Sequence, residues 1–347
     1  MFFFSDDSEN APYNAAKPPL PYFPGQEFTV RSHIPPPPTS IDCLPGPESH
    51  EEWQKKSPLE RCFTNPPSPG ADGDQLVSLI VSKEIRLEDN HNSQLVIVDV
   101  LDVTPSIAQG PQKATTVLAK FYDPLYQDHR QDDEDPFLAV EHDYTHEAAA
   151  YTALSELQGT VIPKYYGSFT LELPIDNYET KRLVRLILLE LVEGVPMRNL
   201  DPKKVSQQQR KEMMKGVIDA ETAIYSCYIL HCDTHPRNVI INSDPESNRK
   251  VTLIDFDRAR KYPDACIRPE FVKLVCLPGP ASPLLRWHRL RWPGVQSEFD
   301  GWIDWDWQTW LEENYSDPQG TLTREMKEFW MPDDPGSVLR LPGLKIW

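Results

Sequence analysis

Residues 231–242 read HCDTHPRNVIIN and residues 251–260 read VTLIDFDRAR, and these two stretches decide the fold we expect for this chain. The polar residues His231, Asp233 and Asn238 precede the apolar run of the first stretch. Asp255 follows the apolar run of the second stretch. The two apolar runs are expected to pair as a short hairpin. A hairpin of this kind can gather the carboxylate and amide oxygens of these residues near one another.

The spacing of these polar residues suits phosphoryl transfer. Oxygen ligands of this kind suit Mg²⁺, which keeps several waters and shares the phosphates of a substrate. In that chemistry an Asp orients the acceptor hydroxyl and accepts its proton, while an Asn and a later Asp hold metal ions. A Lys on the third strand, braced by a Glu from the next helix, holds the α- and β-phosphates. Lys120 in VLAKFYD and Glu147 in THEAAAY fall at those places, with Glu141 as a rival to Glu147.

The order of these features resembles the protein-kinase-like superfamily: a strand Lys, a helix Glu, an H-x-D-x-x-x-x-N loop and a D-F-x motif. The resemblance covers residues 75–260. It implies that ATP and Mg²⁺ are the cofactors. It implies that Asp233 is the catalytic base and that His231 braces the catalytic loop. It also implies that Asn238 and Asp255 are metal ligands and that Lys120 and Glu147 clamp the nucleotide.

The segment LLELVEG, residues 188–194, resembles the hinge of that superfamily. The resemblance implies that the backbone carbonyl of Glu190 and the N–H of Val192 meet the adenine edge. We therefore expect the nucleotide near residues 189–193.

Several positions depart from the pattern of regulated protein kinases. Cys232 replaces the usual Arg, His235 the loop lysine and Asp257 the last Gly of D-F-G, and no G-x-G-x-x-G or A-P-E motif is present. Asp257 either supplements the metal site or caps the next segment. His235 contacts a phosphate, braces the loop or is simply exposed. The pattern HxDxHPxN with IDFD resembles aminoglycoside- and choline-kinase-like phosphotransferases. AKFYDPLY, EAAAY and PKYYGS together resemble the protein-kinase-like proteins of filamentous fungi.

The periodicity of the chain predicts an α+β fold. Five β-rich runs and one helix at residues 138–158 form a small lobe, and a helix after Ser206 leads to His231. The resemblance implies a bilobal protein-kinase-like fold with a β-rich N-lobe at 75–190 and a mainly helical C-lobe at 191–347. Six tryptophans are expected in the core of the C-lobe rather than in a substrate cage: Trp287, Trp292, Trp302, Trp305, Trp307 and Trp310.

The first 74 residues are interpreted as a proline-rich, largely disordered arm. Residues 1–70 hold 15 of the 35 prolines, and such a stretch is expected to sustain neither ladders nor helices apart from one short helix within 47–62. The arm is expected to add little to the core. A second interpretation makes it a ligand for a protein partner that binds proline-rich segments.

Composition excludes several classes of protein. A net charge of −18 argues against a nucleic-acid partner and against adhesion to anionic membranes. Neither a secretory signal nor a membrane-spanning run of apolar residues is found. The six cysteines form no C-x-x-C pair, which argues against a structural zinc site. Reduced thiols and an intracellular, cytoplasmic location are expected.

Two functions fit these observations. The first is an ATP- and Mg²⁺-dependent phosphotransferase that moves the γ-phosphate to a hydroxyl of a small molecule or of a protein Ser or Thr. The alternative is a weak or inactive pseudokinase that serves as a binding module. Retention of Lys120, Asp233, Asn238 and Asp255 favours the first function.

Overall fold

The computed structural model describes residues 12, 15–38, 55–129, 134–174, 181–242, 244, 249–261, 282–288, 298–317, 322 and 324. The chain divides into two compact units. The first unit comprises Met1–Thr152 and Lys164–Leu191, and the second comprises Ala153–Pro163 and Val192–Trp347.

The first unit is built on a closed, antiparallel barrel of six strands. In chain order these are β1 (Glu27–Ile34), β2 (Ala71–Arg86), β3 (Gln94–Thr104), β4 (Thr116–Tyr122), β5 (Tyr165–Pro174) and β6 (Lys181–Glu190). Around the barrel their order is β1-β2-β3-β4-β6-β5. The predicted runs of β2 to β6 are confirmed, because alternate residues of each strand fill the barrel interior.

The first strand lies inside the stretch that was expected to be a disordered arm. β1 pairs with β2 on one side and with β5 on the other, and Phe28 and Val30 are buried in the barrel core. The expectation that residues 1–70 sustain no ladder is therefore wrong here. Pro24 and Pro35 flank the strand, but no proline interrupts EFTVRSHI, whose alternation of apolar and polar residues directs one face inward.

A short helix also forms within this stretch, as expected. α1 (Pro58–Thr64) is capped by Ser57, whose hydroxyl accepts from the Glu60 N–H while the Glu60 side chain accepts from the Ser57 N–H. This capping box and the proline at the first helical position explain why the helix starts there. Arg61 of α1 is 1% exposed, so this helix too is packed into the first unit.

Strand β4 presents different chemistry on its two faces. Val117, Ala119 and Phe121 belong to the barrel core, and the intervening Lys120 and Tyr122 point to the opposite face. The predicted helix α2 (Pro136–Ala153) carries Glu147 to that face, as the contacts below show.

The described part of the second unit contains helices and short strands. Its elements are β7 (Val195–Pro196), α3 (Gln207–Ser226), β8 (Ile229–Leu230), β9 (Val239–Ile241), β10 (Val251–Leu253), β11 (Arg260–Lys261), α4 (Pro283–Arg286) and α5 (Trp307–Asn314). The predicted N-cap at Ser206 is confirmed, again as a capping box, with Gln209. The predicted hairpin is confirmed by the antiparallel pair of β9 and β10.

The helical spacing of the residues after Ser206 predicts one buried face: Met214, Val217, Ile218, Glu221, Ile224 and Tyr228. All of these except Tyr228 are buried. Tyr228 differs from the prediction. The helix ends at Ser226, and Tyr228 follows with φ 61° and with 61% of its surface exposed.

Four of the six tryptophans are buried, as predicted for core residues: Trp287, Trp302, Trp307 and Trp310. Trp305 is half-buried, and Trp292 lies outside the described residues. Within the described ranges, no helix is both long enough and apolar enough to span a membrane.

Candidate functional site

Lys120 and Glu147 form the predicted ion pair in the first unit. Lys120 Nζ lies 2.6 Å from Glu147 Oε2, and the two side chains are 5% and 1% exposed. Tyr122, two residues along β4, donates its hydroxyl to the same Glu147 oxygen. Because both charges are removed from water, the pair is held by direct contact and by this added hydrogen bond. The structure thus brings together the two residues predicted to clamp a nucleotide.

Glu141, the rival to Glu147, has a different partner. Its Oε2 accepts from the backbone N–H of Ser68 at 3.3 Å. Burial raises the pKa of the Glu141 carboxyl. Glu147 is therefore the helix glutamate that pairs with Lys120.

The predicted hinge residues lie at the end of β6 and just beyond it. Glu190 is the last residue of that strand, and its backbone N–H donates to the Lys164 carbonyl at 2.9 Å. The Glu190 carboxylate accepts from the Lys164 N–H, also at 2.9 Å. Val192 is the first residue of the second unit after β6 and is half-buried.

His231 fixes the start of the loop at residues 231–238 of the second unit, called the Asp233 loop below. The ring is 2% exposed and packs against Phe256, with 4.7 Å between ring centroids. Its Nε2–H donates to the Ile254 carbonyl at 3.0 Å, and its Nδ1 accepts from the Asp233 N–H at 3.3 Å. These partners require the neutral tautomer that is protonated on Nε2. Burial lowers the pKa of His231, which favours that neutral form.

Asp233 is held by two side chains of its own loop. Arg237 Nη2 lies 2.7 Å from Asp233 Oδ1 and 2.9 Å from Oδ2. The Asn238 amide nitrogen donates to Asp233 Oδ2 at 2.8 Å and to the Asp233 carbonyl at 3.0 Å. With both amide hydrogens directed to Asp233, the oxygen of the Asn238 side chain is the atom left to meet a cation.

Asp255 is joined to Asn238 through the residue before it. The Ile254 N–H donates to the Asn238 carbonyl at 3.0 Å, so the β9–β10 hairpin sets the two residues side by side. Asp255 has φ 69°, a left-handed conformation that is uncommon for residues other than glycine. Such conformations occur where the surrounding structure enforces them, often at functional sites. Cys232, beside Asp233, shares this feature with φ 60°.

The structure gives His235 a role in bracing the loop. Its Nδ1 accepts from the Arg237 N–H at 3.1 Å, and its Nε2 lies 2.6 Å from Glu298 Oε2. Asp257 is half-buried, two residues after Asp255.

The oxygen donors of Asn238 and Asp255 fit Mg²⁺, which accepts few protein ligands and completes its shell with water and phosphate. No group of three or more His, Cys, Asp or Glu residues with the geometry of a metal site is found among the described residues.

The match to a protein family covers half of the chain. Residues 102–276 match the model of the ABC1 atypical kinase-like domain. The chain belongs to this family. The ABC1 atypical kinase-like match confirms the relation to the protein-kinase-like superfamily, and it includes every candidate site residue named above. It begins within β3, so β1, α1 and β2 precede the matched ABC1 range. No curated protein matches the sequence.

Arg237 and Tyr122 are the site residues that sequence reasoning missed. Tyr122 could have been found by alternation, since it lies on the same strand face as Lys120. For Arg237, the i, i+4 spacing from Asp233 was a signal, but that spacing brings side chains together only in a helical turn. A short 3₁₀ turn at Pro236–Asn238 curls the loop and supplies this condition.

Proposed function

We propose that this chain is an ATP- and Mg²⁺-dependent phosphotransferase that transfers the γ-phosphate of ATP to a hydroxyl group. The observation that carries the proposal is the arrangement of the Asp233 loop, in which Asp233 and Asn238 are in contact and Asp255 adjoins Asn238 through Ile254. This set supplies a carboxylate for the acceptor and oxygen ligands for a metal. The family match supports the kinase-like character of the domain.

Each residue of the proposed mechanism has a separate task. Asp233 orients the acceptor hydroxyl and accepts its proton at a carboxylate oxygen. Asn238 and Asp255 would hold Mg²⁺, which when bound would neutralise charge on the phosphates. Lys120, fixed by Glu147, binds the α- and β-phosphates. The Glu190 carbonyl and the Val192 N–H hydrogen-bond the adenine.

The acceptor class follows from the loop motif. HCDTHPRN with IDFD is similar to the loops of aminoglycoside- and choline-kinase-like phosphotransferases, which favours a small hydroxylated molecule over a protein Ser or Thr. The strand and helix motifs that resemble proteins of filamentous fungi point to that source. Because ATP is supplied inside cells, we place the enzyme there.

Two variants with opposite expectations test this proposal. Asp233→Asn should bind Mg²⁺-ATP like the wild type, because the base contacts the acceptor and not the phosphates. Its turnover should fall by about 10²–10⁴-fold, the usual contribution of general base catalysis. Asp255→Ala should weaken Mg²⁺-ATP binding itself, because the metal loses a charged ligand. The measurements are Mg²⁺-ATP affinity and ATP turnover with a panel of hydroxylated small molecules and generic protein substrates.

Two outcomes would overturn parts of the proposal. Equal turnover in the wild type and Asp233→Asn would remove Asp233 from the role of base. A wild-type protein that binds no nucleotide at any Mg²⁺ concentration would favour the alternative, a pseudokinase that serves as a binding module. The structural observation that fits this alternative is that Arg237 contacts both carboxylate oxygens of Asp233 while Asn238 contacts one of them.

A further inference from the structure

Residues 27–34 and 57–70, called the bracing segment below, contact helix α2 of the same unit at several points. The first contact is at the start of the helix. Arg61 Nη2 lies 3.9 Å from Asp135 Oδ1, and the guanidinium carbon lies 5.0 Å from the centre of the Phe137 ring. Asp135 in turn accepts from the Phe137 N–H at 2.8 Å, which caps the helix.

Two further contacts lie along the helix. The Ser68 N–H donates to Glu141 Oε2 at 3.3 Å, and the Ser68 carbonyl accepts from Arg185 Nη2 of β6 at 2.9 Å. Ser68 thus links α2 to the barrel. Nearer the centre of the helix, His33 Nδ1 of β1 and the Tyr144 hydroxyl are hydrogen-bonded at 2.6 Å, and both residues are buried.

The contacted residues form one stripe of α2. Phe137, Glu141 and Tyr144 are spaced by four and three residues, which places them on one side of an α-helix. Glu147 follows Tyr144 by three residues and so continues the same stripe. The bracing segment therefore holds the side of α2 that also faces Lys120.

A direct series of contacts leads from the bracing segment to the ion pair. The Tyr144 ring, bonded to His33, meets the Tyr122 ring edge-on with 5.4 Å between centroids. Tyr122 donates its hydroxyl to Glu147, and Glu147 binds Lys120. A shift of α2 away from His33 would move Tyr144, and with it the packing that orients Tyr122.

We propose that the bracing segment is a positioning element for the nucleotide-clamping pair, with His33, Arg61 and Ser68 holding α2 where Glu147 meets Lys120. The nucleotide-clamping role in this inference rests on the proposed function, whereas the positioning of the pair does not. All of the bracing residues precede the matched kinase-like range, which begins at residue 102. The position of the Lys120–Glu147 pair, which lies inside the matched domain, thus depends on residues outside that domain.

The test uses the full chain with a double substitution, Glu141→Met and Tyr144→Phe. These changes remove the bonds to Ser68 and His33 but keep helix-forming side chains and the aromatic ring. The matched control is Tyr126→Phe, which removes a buried hydroxyl of the same unit that donates to the Pro19 carbonyl at 2.9 Å. The first readout is the rate at which an N-hydroxysuccinimide ester acylates Lys120, followed by mass spectrometry. The second is the dissociation constant for Mg²⁺-ATP.

Lys120 is expected to react slowly in the wild type and in Tyr126→Phe, and about three- to tenfold faster in the double variant, as for the loss of one or two hydrogen bonds. Mg²⁺-ATP binding should weaken by a similar factor in the double variant alone. Equal acylation rates in all three proteins would overturn the positioning role. Faster acylation in a protein that binds no nucleotide would uphold the positioning role and reject the proposed function.

Discussion

Arg237 lies across the carboxylate of Asp233, with its Nη2 atom 2.7 Å from Oδ1 and 2.9 Å from Oδ2. The Arg237 side chain is 41% exposed and that of Asp233 is 16% exposed. A partly exposed guanidinium thus binds the largely buried carboxylate of the proposed base. We expect Arg237 to orient Asp233 without contributing to nucleotide binding.

Replacement of Arg237 should therefore change the orientation of Asp233 without changing nucleotide binding. Arg237→Met removes the charge-assisted contacts with both Asp233 oxygens, so acceptor-dependent turnover should fall by about tenfold while Mg²⁺-ATP affinity stays unchanged. Arg237→Lys keeps the charge but not the planar guanidinium, so its turnover should lie between that of the wild type and that of Arg237→Met. Steady-state kinetics with direct nucleotide titration make the comparison. A loss of affinity equal to the loss of turnover would contradict the orienting role.

The buried pair of Lys120 and Glu147 should make a large contribution to stability when one partner is removed. Lys120→Met deletes the cation beside a carboxylate that is 1% exposed, so the free energy of unfolding should fall by about 3–5 kcal/mol. The matched control is Lys181→Met, since Lys181 and Glu172 pair at 2.8 Å with both side chains 58% exposed. That change should cost less than about 1 kcal/mol. Urea unfolding curves measure both, and equal losses would contradict burial as the cause.

Strand β1 should be essential to the barrel. Phe28 lies in its core, 5.9 Å from Phe121 between ring centroids. Phe28→Ala should therefore lower the free energy of unfolding by about 3–5 kcal/mol. Thr29 is the neighbouring exposed residue on the other face of β1, and Thr29→Ala should change stability by no more than about 0.5 kcal/mol. A small effect of Phe28→Ala would restore the view of this stretch as a loosely attached arm.

His129 should make stability depend on pH. Its Nδ1 lies 2.9 Å from Arg61 Nη1 and accepts from that cation, and its Nε2–H donates to the Pro124 carbonyl at 2.8 Å. Burial, and then the charge of Arg61, lower the pKa of His129 from 6.5 to about 4. At pH values between about 4 and 6.5, His129 is therefore protonated in the unfolded chain but neutral in the folded chain. The free energy of unfolding should therefore fall as the pH drops from 7 to 5, by about 2 kcal/mol for this residue.

The variant His129→Gln isolates this contribution, because the glutamine side chain offers an amide donor group and a carbonyl acceptor but does not titrate. Its unfolding free energy should fall less steeply between pH 7 and pH 5 than that of the wild type. His33, whose burial also lowers its pKa to about 4, remains in both proteins and contributes equally. Identical pH profiles would show that His129 is not responsible. Denaturant titrations at pH 7, 6 and 5 are sufficient.

The sequence predicted the elements whose periodicity is unbroken. Strands β2 to β6, helix α2 and the cap of α3 all follow from local patterns. The pairing of Lys120 with Glu147 was expected from the kinase-like order of motifs, with Glu141 as a rival. β1 was missed because the surrounding prolines outweighed eight residues with strand alternation. The closure of the barrel could not be predicted, since the pairing of Val30 with Leu171 joins positions far apart in sequence. The contacts of Ser68 with Glu141 and of His33 with Tyr144 depend on that closure.

The closed barrel also constrains the order in which the chain can fold during synthesis. β1 emerges from the ribosome before the other strands of the barrel, yet its second neighbour, β5, begins only at Tyr165. Until then one edge of β1 presents unpaired backbone groups, which are prone to join other chains. Sheet formation can therefore begin with β1 and β2, whereas the β1–β5 seam has to wait for β5, and β6, which is made last, completes the barrel. A fragment that starts at the family boundary at residue 102 would lack both strands and could never form that seam.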